Sequence, residues 1–66
     1  MSLPKAAVER IIRGAGAERV SSGAVEELRD AVEELGEEVA SDASKFADYA
    51  DRNTVKEEDI NMAVEH

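Results

Sequence analysis

The stretch SGAVEELRDAVEELGEEVASDASKFADYA, Ser22 to Ala50, decides the fold. Within it Val25, Leu28, Val32, Leu35 and Val39 recur at alternating steps of three and four residues, and Ala43, Phe46 and Ala50 continue the series after a four-residue step. Apolar side chains at that spacing share one side of an α-helix and form a stripe that must be covered. No proline interrupts the run. The pattern therefore predicts a single helix of roughly 40 Å, counting about 1.5 Å per residue, which is long for a chain of 66 residues.

Shorter elements flank it. Pro4 suits the first turn of a helix, where its missing N–H is not needed, and Ala7, Val8, Ile11 and Ile12 follow at helical spacing. Gly14 and Gly16 stop that helix, and Glu18-Arg19-Val20 reads as a loop with a brief strand. Ser21 or Ser22 offers a hydroxyl to the open N–H groups at the start of the long helix. After it, Asp51-Arg52-Asn53 forms a turn. Thr54 and Glu57 have capping-box spacing, while the β-branched pair Thr54-Val55 suits a two-residue strand equally well, with a last helix beginning near Glu57. Ile60, Ala63 and Val64 give that helix an apolar side, and Met62 points away from it.

The expectation is one all-α domain over residues 1–66: short helix, long central helix, short helix. Each flank is too short to be stable alone, and together they cover only part of the middle helix. Gly36, Ala40, Ala43 and Ala47 are small enough to let another helix approach closely. With no Cys and one His, neither a disulfide nor a metal is expected as a staple, and an antiparallel second copy is the simplest cover. The longest apolar runs are only two or three residues, so no membrane span is expected. No nucleophile has a base near it in a recognisable motif, and Gly14-Ala15-Gly16 is too short for a dinucleotide fingerprint, so neither catalysis nor a cofactor is expected.

A specific resemblance narrows the reading. Leu3-Pro4, Arg10-Ile11-Ile12, the run Ala15-Gly16-Ala17-Glu18-Arg19-Val20-Ser21, then Arg52, Thr54, Lys56, Glu58-Asp59-Ile60 and Ala63-Val64 together resemble an archaeal histone from Leu3 to Val64. The seven consecutive loop positions are its most distinctive part. The resemblance implies the histone fold and an intertwined handshake homodimer, with each first loop beside the partner's second loop through short parallel strands around Val20 and Val55. It also implies binding and bending of double-stranded DNA with little sequence preference, through Arg10, Arg13, Arg19, Arg52, Thr54 and Lys56. Arg52 and Asp59 are expected to pair at the surface and order the second loop, a contact worth about 0–1 kcal/mol if exposed. Phe46, Tyr49, Asp59 and Met62 map to the surface through which family dimers join into a tetramer or longer stack, although Phe46 suits dimer core as well. Tyr49 stands where a His is common. Localisation would be cytoplasmic and chromosome-associated.

Charge cuts across this picture. The chain carries eight Lys+Arg against sixteen Asp+Glu, a formal net charge of −8, whereas DNA affinity comes largely from cations displacing counterions. Residues 1–21 hold four bases and two acids, residues 22–51 two bases and ten acids, and residues 52–66 two bases and four acids. The acidity thus lies on the long helix, and six of the eight bases lie on the first helix, the loops and their edges. Asn53 replaces a typical Lys, and Glu37 and Asp48 replace common bases, so binding should be weaker and more salt-sensitive than usual. An alternative role follows: an acidic histone-fold protein that forms a heterodimer with other histones, or caps their assembly, and binds DNA weakly. The ten acids read equally as the wet side of a helix, as adaptation to a salty cytoplasm, or as a device against stacking. His66 reads as a frayed end rather than a metal ligand. Salt adaptation predicts a melting temperature that climbs steeply between low and molar KCl; a flat profile would dismiss it.

Overall fold

The computed structural model describes residues 2–65, so His66 lies outside the described residues. Three helices follow in order: α1 (Lys5–Gly14), α2 (Ser22–Tyr49) and α3 (Glu57–Glu65). The chain divides into two compact units, Met1–Glu34 and Leu35–His66, and α2 runs through both.

In the first unit Pro4 sits in extended conformation at the start of α1, and its carbonyl accepts hydrogen bonds from the Ala7 and Val8 amides. Val8 and Val25 are buried, with Ile12, Val20, Leu28 and Val32 half-buried around them. The N-terminal segment is tied down where the Leu3 amide donates to Glu33 Oε1 at 2.7 Å. Of the two serines open as caps for α2, Ser21 performs the task, its Oγ accepting from the Ala24 amide at 3.1 Å.

The second unit buries Ala43, Ala47, Ala63 and the polar Asp59. Two of the four small residues read as openings for another helix are therefore consumed by the chain's own packing. Gly36 and Ala40 remain exposed, and a Cβ added at Gly36 would meet nothing within 4 Å. Some apolar side chains stay uncovered: Leu35 of the α2 series is 61% exposed and Val64 of α3 66%.

Helices α1 and α2 end in the same way. At α1 the Gly16 amide donates to Arg13 O and the Ala17 amide to Ile12 O; at α2 the Asp51 amide donates to Asp48 O and the Arg52 amide to Ala47 O. This paired reversal requires left-handed backbone at its pivot. Gly16 adopts φ 114°, whereas at the second pivot a non-glycine residue, Asp51, holds φ 60°. The reversal at Asp51 starts the second loop two residues after α2 ends.

The strands expected at Val20 and Val55 are not formed among the described residues, and neither residue joins any backbone hydrogen bond of the loops. Two short extended segments make a ladder only by pairing with each other, and the resemblance draws that partner from a second chain. The two pivots make opposite predictions. Gly16→Ala should destabilise by about 1–2 kcal/mol because a Cβ is strained at positive φ. Asp51→Gly should gain about 0.5–1 kcal/mol, both measured by urea unfolding at one fixed protein concentration.

Candidate nucleic-acid interface

The six positions expected at DNA fall into two groups, Arg10, Arg13 and Arg19 in the first unit and Arg52, Thr54 and Lys56 in the second. Each group is built around one arginine that is held in place.

In the first unit Arg13 is held at both ends of its guanidinium. Its Nη2 pairs with Glu9 Oε1 at 3.1 Å, one turn earlier on α1, and its Nη1 donates to the Glu18 carbonyl at 3.0 Å. The second bond fixes the loop just before Arg19. Arg19 itself is exposed and, with Ile12, Val20, Ser21 and Ala24, lines a hollow of about 450 Å³ beside the start of α2. Arg10 is also exposed, and neither side chain has a hydrogen bond or ion pair among the described residues. Lys5 Nζ contacts Glu26 Oε1 at 3.3 Å.

In the second unit Arg52 and Asp59 form a two-pronged pair, with Nη1 to Oδ2 and Nη2 to Oδ1 both at 2.8 Å. Arg52 Nη1 also donates to the Thr54 carbonyl at 2.9 Å, and the Lys56 amide donates to Asp59 Oδ2 at 2.8 Å. One carboxylate and one guanidinium thus fix the backbone of residues 52–56. The expectation of an exposed, weak pair is corrected here, because Asp59 is only 2% exposed. Hydrogen bonds from Arg52 and then from the Lys56 amide lower the Asp59 pKa from 3.8 to about 2 against the opposing effect of desolvation, and the bond to Asp59 raises that of Arg52.

That geometry settles how α3 is capped. The helix starts at Glu57, and Asp59 reaches back to the Lys56 amide, so the cap expected from Thr54 is supplied by Asp59 instead. The Thr54 residue is exposed, with its hydroxyl making no hydrogen bond among the described residues, and the Lys56 ammonium is likewise unpaired there.

Helix N-termini attract phosphate only while their partial positive charge is unanswered. α1 and α2 carry no acid in their first turns, whereas α3 carries Glu57, Glu58 and Asp59. The positive end of α3 is thereby neutralised from within. Only α1 and α2 keep a positive end with no acid in the first turn.

Sequence reasoning missed the fixed state of Arg13. The i,i+4 spacing of Glu9 and Arg13 is visible in the sequence, but the bond to the Glu18 carbonyl depends on the path of the loop. Of the four residues expected between dimers, Tyr49 is 82% exposed, Met62 exposed and Phe46 half-buried. Asp59 has both oxygens engaged within its own chain. No helix among the described residues is long and apolar enough to cross a membrane, and no group of three or more acidic or His residues there can hold a metal.

The sequence matches, over residues 1–64, the family described as "Histone-like transcription factor (CBF/NF-Y) and archaeal histone". It is 50% identical over 62 residues to one of the subunits of archaeal histone HAN1 from Thermococcus zilligii, covering 94% of this chain and 92% of that one. It is 42% identical over 62 residues to probable archaeal histone 3 of Methanocaldococcus jannaschii, with the same coverage of 94% and 92%.

The buried pair generates a pH prediction with a definite sign. Because folding lowers the Asp59 pKa from 3.8 to about 2, the stability it supplies is present above the unfolded value and is lost as pH falls through the folded one. Asp59→Asn should melt several degrees below the parent at neutral pH, and the gap should narrow as the buffer is taken from pH 4 towards pH 2. A gap that stays constant would contradict the assignment.

Proposed function

Because the chain belongs to the family of histone-like transcription factors and archaeal histones, we propose that it packages DNA as a dimer whose single histone-fold domain spans residues 1–66. It is a DNA-binding chromatin protein rather than an enzyme. Its place of action is the chromosome, and the compartment we assign it is the cytoplasm.

The observation that carries the dimer is the apolar surface left uncovered on the three helices and the second loop. Only Val8, Val25, Ala43, Ala47 and Ala63 are buried apolar residues among those described, while Ile11, Leu35, Val55, Ile60 and Val64 stay exposed. Small domains of this size need added cover to be stable. Arg29 supports the same reading, since its Nε is enclosed without an acceptor among the described residues. Handshake pairing places the first loop of one chain beside the second loop of the other, where the extended backbones at Val20 and Val55 pair. The two groups of basic residues then meet across the dimer.

On that surface Arg10 and Lys56 neutralise phosphates, the Thr54 hydroxyl donates to a phosphate oxygen, and the exposed amides at the start of α2 add to them. Arg19 enters an inward-facing minor groove without reading base identity, so affinity follows the ease of bending more than sequence. Arg52 acts at one remove by fixing the backbone that presents Thr54 and Lys56. Tyr49 and Met62, with Phe46 beside them, offer apolar area for joining dimers into a tetramer or longer stack.

A second reading has its own support. The net charge of −8 suits pairing with a more basic histone, giving a heterodimer that binds DNA weakly or caps an assembly. The HAN1 relative, itself named as one subunit among others, is consistent with a chain that works beside another.

The salt dependence of DNA binding tests the main reading. On the proposed DNA surface three cations per chain, Arg10, Arg19 and Lys56, are unpaired among the described residues, which makes six per dimer and a slope of log K against log[salt] of about −5. Contact through every basic residue of the surface would approach twice that. Arg19→Ala should weaken binding on all mixed-sequence duplexes and flatten the slope by about 2. No saturable shift at low salt, together with heterodimer formation, would favour the second reading.

A further inference from the structure

Two carboxylates of the first unit each hold a cation in an ion pair. Glu9 Oε1 lies 3.1 Å from Arg13 Nη2, and Glu26 Oε1 lies 3.3 Å from Lys5 Nζ. Both pairs are exposed, with side chains 41–58% accessible, so both cations are open to an anion arriving from solvent. Four bases lie in residues 1–21, and these pairs occupy two, leaving Arg10 and Arg19.

We infer that Glu9 and Glu26 are built-in competitors of DNA: they hold Arg13 and Lys5 in ion pairs that phosphate must break, and so set affinity and salt sensitivity below what the basic residues alone would give. This rests on the DNA-binding reading above and deepens it. A cation held by a carboxylate neutralises no phosphate and so releases no counterion from DNA, and DNA contact there must first expel a carboxylate that then faces the phosphates at close range. The contact is forfeited, and with it the matching share of salt dependence.

The arrangement is more than the usual helix-surface ion pair. Arg13 is also bound through Nη1 to the Glu18 carbonyl at 3.0 Å, so Glu9 completes a cage that leaves neither terminal nitrogen unengaged. The Lys5 and Glu26 pair joins the start of α1 to the first turns of α2, the two helix ends without acids of their own in the first turn. A carboxylate at each cation therefore opposes the parts of the first unit best suited to receive phosphate.

Gel-shift or anisotropy titration of the full-length protein on one mixed-sequence duplex over a salt series tests this. Glu9→Gln and Glu26→Gln should each tighten binding and steepen the salt slope by about 2 per dimer, one extra phosphate per chain. Glu34→Gln is the control, since Glu34 is exposed and has no such partner; it reports what removing any negative charge does. Arg13→Gln should cost more affinity in the Glu9→Gln background than in the parent, because only there is Arg13 released from its carboxylate. Thermal melts of each variant separate folding from binding.

If Glu9→Gln and Glu26→Gln match Glu34→Gln, the competition is refuted while DNA binding stands. If Glu9→Gln weakens binding without lowering the melting temperature, Glu9 serves to order the Arg19 loop, and the inference fails in sign. If neither the parent nor the Glu9→Gln/Glu26→Gln double variant binds at low salt, both the inference and the DNA-binding reading fall. A double variant that binds where the parent does not would be the strongest support.

Discussion

Covering the apolar side of α2 is the constraint from which the other features follow. α2 has 28 residues, against ten in α1 and nine in α3, or about 42 Å of helix against about 15 and 14 Å. Laid end to end the flanks still fall short of it. The five buried apolar side chains among the described residues are small, none larger than Val, and each valine adds only about 1.5–3 kcal/mol when fully buried. Ordering backbone costs about 1–2 kcal/mol per residue, so the remaining apolar area has to be buried by something else. In a histone-fold dimer that cover is the same surface of another chain, and a surface that needs two chains then comes at no extra structural cost.

The ends of the helices decide which parts of such a surface attract an anion. Both reversals, at Gly16 and Asp51, use the left-handed pivot and satisfy the last carbonyls of α1 and α2 within the backbone, which leaves side chains in the loops for other duties. Arg13 and Arg52 use that freedom similarly, each binding a carboxylate and a loop carbonyl. Their surroundings differ in one respect. Asp59 is enclosed, and breaking its pair by removing Arg52 strands a charge away from water. Glu9, with its side chain 41% accessible, loses little when its partner leaves. The second loop is therefore held firmly, while the first is held by contacts that an incoming phosphate can replace.

Helix order and extent are legible in the sequence because periodicity and punctuation agree at the boundaries of α1 and α2. Pro4, the glycines after Arg13, Ser21 and the turn after Ala50 fall where the helices start and stop. The resemblance locates the basic positions as well. What cannot be read is the state of each cation. The resemblance does anticipate the Arg52–Asp59 pair. Arg10 and Arg13, however, look alike on α1 in the sequence, yet Arg10 is unpaired among the described residues while the loop path brings the Glu18 carbonyl to Arg13. The burial of Asp59 is hidden for a similar reason. An acid three residues after Lys56 reads as part of a helix's exposed first turn until the arginine it binds is placed beside it. Strands at Val20 and Val55 do not form in a single chain because β-pairing is a property of two segments, and neither finds its partner in the loops of its own chain.

These distinctions also explain how an acidic protein can belong to a family that packages DNA. Most of the ten acids of residues 22–51 are exposed on α2. Near physiological salt their field on a distant phosphate is screened beyond ~8 Å, so a carboxylate away from the contact surface matters less than its number suggests. A carboxylate within a few ångströms of a contact cation is screened far less, and it removes a partner from DNA besides adding repulsion. The net charge of −8 is thus a poor guide to affinity. The better guide is which acids lie beside Lys5, Arg13 and Arg52 and which of those can be displaced. By that measure the second loop gives up Arg52 permanently in exchange for a fixed backbone, and the first unit keeps Arg13 and Lys5 in contacts open to competition.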